Sequence, residues 1–177
     1  TNNDFSSNNY AQYPSIFKYL DQFNTDLQSI SICHWGPIND HIIGEDADFK
    51  LNVSSDLEVS QQAAAYLSIN DPDLVFLHFD DIDHAGHSSG FSPDNPTYLA
   101  AIEEVDTHIG PVIQAIQARP SIQEEDWLVL VTTDHGGQGT SHGGNSIQEQ
   151  KHGLLIYTGL DKSFKGTVGN LKIHSIK

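Results

Sequence analysis

Residues 71–90 read DPDLVFLHFDDIDHAGHSSG. Asp71-Pro72-Asp73 is turn chemistry. Residues 74–79 form a mostly apolar run of strand length. Such a run, without strict alternation, suits a strand covered on both faces. Residues 80–90 then gather aspartates and histidines among small residues. Residues 126–144, DWLVLVTTDHGGQGTSHGG, repeat the plan: an apolar strand, then Asp134, His135 and His142 among glycines. In open α/β sheets, ligands sit at the carboxyl ends of the strands. Both clusters fall at such ends. They converge if the two strands are near neighbours.

Working outward, the flanking segments alternate. Residues 13–23 read as a short helix with Pro14 in its first turn, and residues 27–33, LQSISIC, alternate like a strand. Residues 34–55 carry the breakers Gly36, Pro37 and Gly44 and read as irregular. A helix is expected near 56–69, capped by Ser55 or Asp56. A long one is expected near 96–118, with Leu99, Ile102, Val105, Ile109, Val112 and Ile116 at helical steps. Pro111 should kink or split it. Central strands are expected near 74–79 and 127–132, with a further strand in HGLLIYTGL, residues 152–160. The tail after Asp161 is weakly patterned. The alternation implies an α/β fold, a three-layer sandwich with a mostly parallel central sheet. Residues 1–177 are expected to belong to a single domain.

Charge narrows the partners. The chain of 177 residues carries 24 acidic and 8 basic side chains, a net −16. Duplex nucleic acid and anionic membranes call for basic patches, so both are disfavoured. No stretch approaches a membrane span. Cys33 is the single cysteine, which removes intrachain disulfides and cysteine-rich zinc motifs. There is no methionine, so Thr1 is not expected to be a translation start.

The clusters themselves suit metal chemistry. Asp83 and His87 are four residues apart, a spacing that lets both face one point on a helical turn. Asp134 and His135 are adjacent, and His142 follows after a glycine-rich turn. Imidazole with carboxylate suits zinc, and also iron or manganese. Other residues read more simply. His78 reads as a core or edge histidine, and His84 as solvent-facing or supporting the site from behind. Asp80 and Asp81 read as strand-end caps. His34, His41, His108, His152 and His174 have no partner at ligand spacing, and Asp106 on the same helix suffices for His108.

At this point the chain resembles a family. DIDHAGHSSG is similar to the D-x-x-G-H motif of the alkaline phosphatase superfamily, and TTDHGGQGTSHGG to its T-D-H-G…H-G motif. NYAQYPSIFKYL, NDPDLVFLHFDDIDHAGH, YLAAIEEVDTHIG and EEDWLVLVTTDHGG follow in order, as in the type I phosphodiesterase/nucleotide pyrophosphatase-like group. The resemblance implies two divalent metal ions, zinc first, at the carboxyl edge of the sheet about 4 Å apart. Asp83, His87 and His142 would share one site, while Asp134 and His135 would face the second. Asn3 (or Asn2) would hydrogen-bond a phosphoryl oxygen. The implied activity is hydrolysis of a small-molecule phosphate ester through a covalent phospho-enzyme on a threonine or serine. In that group the nucleophile precedes the segment that TNNDF resembles. The fold is therefore expected to be incomplete at its N-terminus, as the C-terminal portion of a larger domain. The 177 residues alone are expected to be inactive. A periplasmic or extracellular location is expected from the resemblance and the acidic composition. Two readings compete: a sulfatase of the same fold, and a truncated homologue that binds metal without catalysis.

Overall fold

The computed structural model describes residue 5, residues 8–144 and the backbone of residues 154–158. Asn2, Asn3, His152, His174 and the tail after Asp161 lie outside the described residues. The elements run α1 (Ile16–Phe23), β1 (Ser29–Cys33), a π-helical turn (Ile38–Ile43), β2 (Phe49–Asn52) and α2 (Asp56–Ile69). Then come β3 (Leu74–His78), α3 (Asp81–Ser89), α4 (Pro96–Gln117), β4 (Leu128–Thr132) and β5 (Leu154–Thr158). This is an α/β fold with a parallel three-stranded sheet ordered β2-β1-β3 and helices over its faces.

β1 is the centre of that sheet. Its Ser/Ile alternation suggests one wet face, yet all five residues are buried. Ile30 and Ile32 pack with Val59, Ala63 and Leu67 of α2 and Val112 and Ile116 of α4. Each such isoleucine contributes roughly 1.5–3 kcal/mol on full burial. The serine face is buried but satisfied. Ser29 Oγ donates to Asp48 at 2.8 Å and Ser31 Oγ donates to Asn39 Oδ1 at 2.5 Å. An unpartnered buried hydroxyl would cost about 1–3 kcal/mol. Phe17 of α1, 2% exposed, meets Phe76 of β3 edge-on at 6.3 Å and covers this second side.

Local signals place the two long helices. Ser55 caps α2, its hydroxyl accepting from the Glu58 N–H. Asn95 caps α4 by accepting from the Thr97 and Tyr98 N–H groups, with Pro96 at the first helical position. Pro111 does not split α4. Its turn is tied to α2, where Ser60 Oγ donates to the His108 carbonyl at 2.5 Å. The apolar stripe is covered only in its later part. Val105, Val112 and Ile116 are buried, while Leu99 and Ile102 are about 40% and 41% exposed.

Three expectations need correction. Residues 34–55 are not wholly irregular: β2 pairs in parallel with β1, Ile32 opposite Leu51. Phe49, Leu51 and Val53 alternate, a strand signal that the neighbouring glycines and proline obscured. β3 is half-buried along its length and lies beside the central strand. β4 does not join the parallel sheet. It pairs antiparallel with β5, Leu130 opposite Ile156. Its Val129 packs against the core, but Leu128 and Leu130 are 60% and 56% exposed. An apolar run specifies a strand without specifying its neighbour.

Candidate metal centre

β3 ends at His78, and three residues later the chain turns into α3. Asp83 sits in the first turn of α3 and His87 in the last. Asp83 thus lies at the helix end whose dipole favours a negative charge. The four-residue spacing puts them on one face, with His87 Nε2 3.3 Å from Asp83 Oδ2. Gly90 ends the helix at φ 107°, a backbone region that glycine enters without a Cβ penalty.

The second segment arrives from β4. Gln138 and Ser141 exchange backbone hydrogen bonds of 2.9 and 3.2 Å, closing a tight turn with Gly139 at φ 60°. The turn is fastened to α3 at two points. The Phe91 N–H donates to the Gly139 carbonyl at 2.7 Å, and His87 Nδ1 lies 2.9 Å from the Thr140 carbonyl. The Thr140 carbonyl accepts from Nδ1–H and so leaves Nε2 as the ligand-type nitrogen. The same logic applies to His135, whose Nδ1 lies 3.0 Å from the Gly136 carbonyl. Phe91 is wedged between the two segments. A Cβ on Gly86 of α3 or on Gly137 of the loop would stand 2.2 Å from its ring.

These fastenings bring four side chains together. His142 Nε2 lies 3.3 Å from Asp83 Oδ1. The His142 ring stacks on His135 with centroids 3.9 Å apart, and the His87 ring lies 4.8 Å from His142. Ligand-type atoms of Asp83, His135 and His142 all fall within 4.8 Å of one another. Asp83 Oδ1 is sealed from solvent yet accepts no hydrogen bond among the described residues. A buried carboxylate oxygen normally has a partner. Here it faces imidazole nitrogens, the donor set of a zinc-type ion. The residues present therefore fit a divalent metal.

His135 stands beside Asp134, as the sequence reading pairs them, and also within reach of Asp83 and His142. The Asp134 side chain is 82% exposed and lies 3.5 Å from His135 Nε2 through Oδ2. Asn3 lies outside the described residues. His84 is exposed and pairs with Asp80 at 3.2 Å. Burial lowers the pKa of His78, which favours a neutral ring between the sheet and the site. On α4, His108 faces Glu104 at 4.0 Å rather than Asp106. Cys33 is buried in β1, and burial pushes its thiol up to about 11. That makes it an inert thiol rather than a nucleophile.

One group was missed. His34 has no partner at ligand spacing in the sequence, but its Nδ1 lies 2.9 Å from Asp56 Oδ1 and 3.7 Å from Asp81 Oδ1. Twenty-two residues separate His34 from Asp56, so no spacing rule could have joined them.

Comparison with known proteins places the chain in a family. The type I phosphodiesterase / nucleotide pyrophosphatase family matches residues 5–164. GPI ethanolamine phosphate transferase 3 of Schizosaccharomyces pombe is 29% identical over 118 residues, 66% of this chain and 11% of that protein. The catalytic subunit of human GPI ethanolamine phosphate transferase 2 is 26% identical over 137 residues, 75% of this chain and 13% of that protein. A 2,3-bisphosphoglycerate-independent phosphoglycerate mutase of Haloquadratum walsbyi is 28% identical over 112 residues, 62% of this chain and 20% of that protein. The chain thus spans a small part of the relatives it matches. It belongs to the type I phosphodiesterase/nucleotide pyrophosphatase family of the alkaline phosphatase superfamily.

Proposed function

We propose that this chain is the metal-holding part of a phosphoester hydrolase that acts through a covalent phospho-enzyme. The convergence of His135 and His142 on Asp83, whose Oδ1 accepts no hydrogen bond among the described residues, carries this reading. Family membership and the matched phosphoester-handling enzymes support it. Two divalent ions, zinc first and manganese or iron as alternatives, would supply nucleophile activation and charge neutralisation on the phosphoryl oxygens. Asp83, His87, His135 and His142 would hold them, with Asp134 at the open side of the site. Asn3 would donate a hydrogen bond to a phosphoryl oxygen. The hydroxyl of a threonine or serine N-terminal to these residues forms the bond to phosphorus as the ester oxygen departs. Water then cleaves the phospho-enzyme. The substrate is a small-molecule phosphate ester, and the acidic composition suits a periplasmic or extracellular setting.

The test assays the 177-residue chain and its upstream-extended form side by side with zinc. The substrates are p-nitrophenyl phosphate, its bis-ester and p-nitrophenyl sulfate. Phosphate ester turnover by the extended form alone, abolished by EDTA or by Asp83→Asn, is the expected result. Dominant sulfate turnover would favour a sulfatase. Stoichiometric zinc binding with no turnover by either form would favour a metal-binding homologue without catalysis. Equal, metal-dependent turnover by both forms would overturn the assignment of the nucleophile.

A further inference from the structure

Asp56 is a carboxylate with 0% exposure, and the site described above does not use it. A buried carboxylate persists only where its oxygens are satisfied. Those of Asp56 are, by groups from two other elements. Oδ1 accepts from the Asp80 N–H at 2.8 Å and lies 2.9 Å from His34 Nδ1. Oδ2 accepts from the Asp81 N–H at 3.0 Å. His34, Asp56 and Asp81 offer ligand atoms within 4.8 Å of one another, as a cation site would. The oxygens of Asp56 are already engaged by N–H donors, so the cluster reads differently.

The two backbone donors are consecutive, at the start of α3. The first N–H groups of a helix have no partner within it. Asp80, the residue at the cap position, makes no side-chain capping bond. The cap of α3 comes instead from α2. Asp56 occupies the first position of α2, a turn held by Ser55 and Glu58. His34 follows β1, and its own N–H donates to the His78 carbonyl at 3.1 Å, extending the sheet ladder. The sheet, α2 and α3 therefore meet at one carboxylate. Asp83 lies two residues beyond the clamped Asp81, and His87 one turn further. Rotation of α3 about its axis would swing both away from His142.

We propose that Asp56, braced by His34, is a positioning residue for the metal centre. Its carboxylate caps α3 from α2 and sets the angle at which Asp83 and His87 meet His135 and His142. This rests on the reading of Asp83 and His87 as metal ligands.

The experiment uses the full chain and the variants Asp56→Asn, His34→Ala and Asp83→Asn. Zinc affinity is measured by competition with a chromophoric chelator, cobalt(II) coordination by visible absorption, and metal-free stability by thermal unfolding. Asp56→Asn keeps one acceptor but turns the other into a donor facing an N–H. It is expected to weaken zinc binding on the order of 10–100-fold, as loss of a ligand-orienting partner does, and to change the cobalt spectrum. A lowered unfolding temperature with unchanged zinc affinity and cobalt spectrum would overturn the positioning role alone. If Asp56→Asn does not fold, His34→Ala carries the test. It should weaken binding several-fold with an altered spectrum, and unchanged binding overturns the proposal. Zinc stoichiometry that Asp83→Asn leaves unchanged would overturn the metal-centre reading, and this inference with it.

Discussion

Gly86 and Gly137 flank one aromatic ring. An alanine in mid-helix ordinarily stabilises relative to glycine by about 1 kcal/mol. At Gly86 the added Cβ would stand 2.2 Å from Phe91, so the sign reverses. Gly86→Ala is expected to destabilise the protein by about 1–3 kcal/mol, the range for overfilled cores. In a Phe91→Ala background the clash is gone, and the same substitution should be neutral or stabilising. Denaturant unfolding of the four proteins in a double-mutant cycle measures that coupling. Additive effects would show that Phe91 is not the obstacle. The sequence offers both glycines beside the candidate ligands. It suggests flexible backbone for them, whereas at these two positions the geometry gives a steric reason.

Between elements, Arg119 joins the end of α2 to the approach to β4. It is 6% exposed and donates to the Leu67 and Asn70 carbonyls at 3.1 and 2.9 Å, groups that α2 leaves open at its C-terminal end. Its Nε and Nη2 donate to Glu125 at 2.8 and 2.9 Å, and it also pairs with Asp71. Arg119→Ala leaves these carbonyls and a carboxylate without their donor. A loss on the order of 3 kcal/mol is expected in denaturant unfolding. The same network sets a pH response. The hydrogen bond from Arg119 first, with those from Ser121 and Trp127, holds the Glu125 carboxyl down at about 2, from an ordinary 4.5. A depressed carboxyl stabilises the folded state fully above its unfolded value, and that contribution is lost as pH falls through the folded one. Urea midpoints should therefore drop between about pH 4.5 and about pH 2 in the wild type. The drop should be smaller in Glu125→Gln. Parallel curves would remove Glu125 from the acid response.

For the whole molecule, the candidate centre joins two segments more than forty residues apart, α3 and the turn after β4. A metal held by both cross-links them in the folded state only. Zinc at about a hundredfold excess over its dissociation constant adds about 2.7 kcal/mol of stability. Thermal unfolding should thus shift upward with zinc and fall back with EDTA. Asp83→Asn should abolish the shift. A zinc-independent unfolding temperature would count against a metal bridging these segments. The net charge of −16 adds repulsion that bound cations relieve, so the shift should shrink at high salt only in its long-range part.

How much was legible follows the range of the interactions. α2, α4 and β3 were placed to within about a residue, because Ser55, Asn95-Pro96 and Asp71-Pro72 act on their immediate neighbours. Helical spacing put Asp83 and His87 on one face for the same reason. β2 was hidden among breakers, since a short strand gains its stability from its neighbour β1 rather than from its own residues. The antiparallel pairing of β4 with β5, the seating of His135 against His142 and the reach of Asp56 to α3 depend on contacts between distant segments. Residue identity determined what chemistry the chain can offer and where its local elements begin and end. Only the tertiary structure decided which elements are neighbours, because side-chain burial and hydrogen-bond satisfaction are properties of the assembled fold.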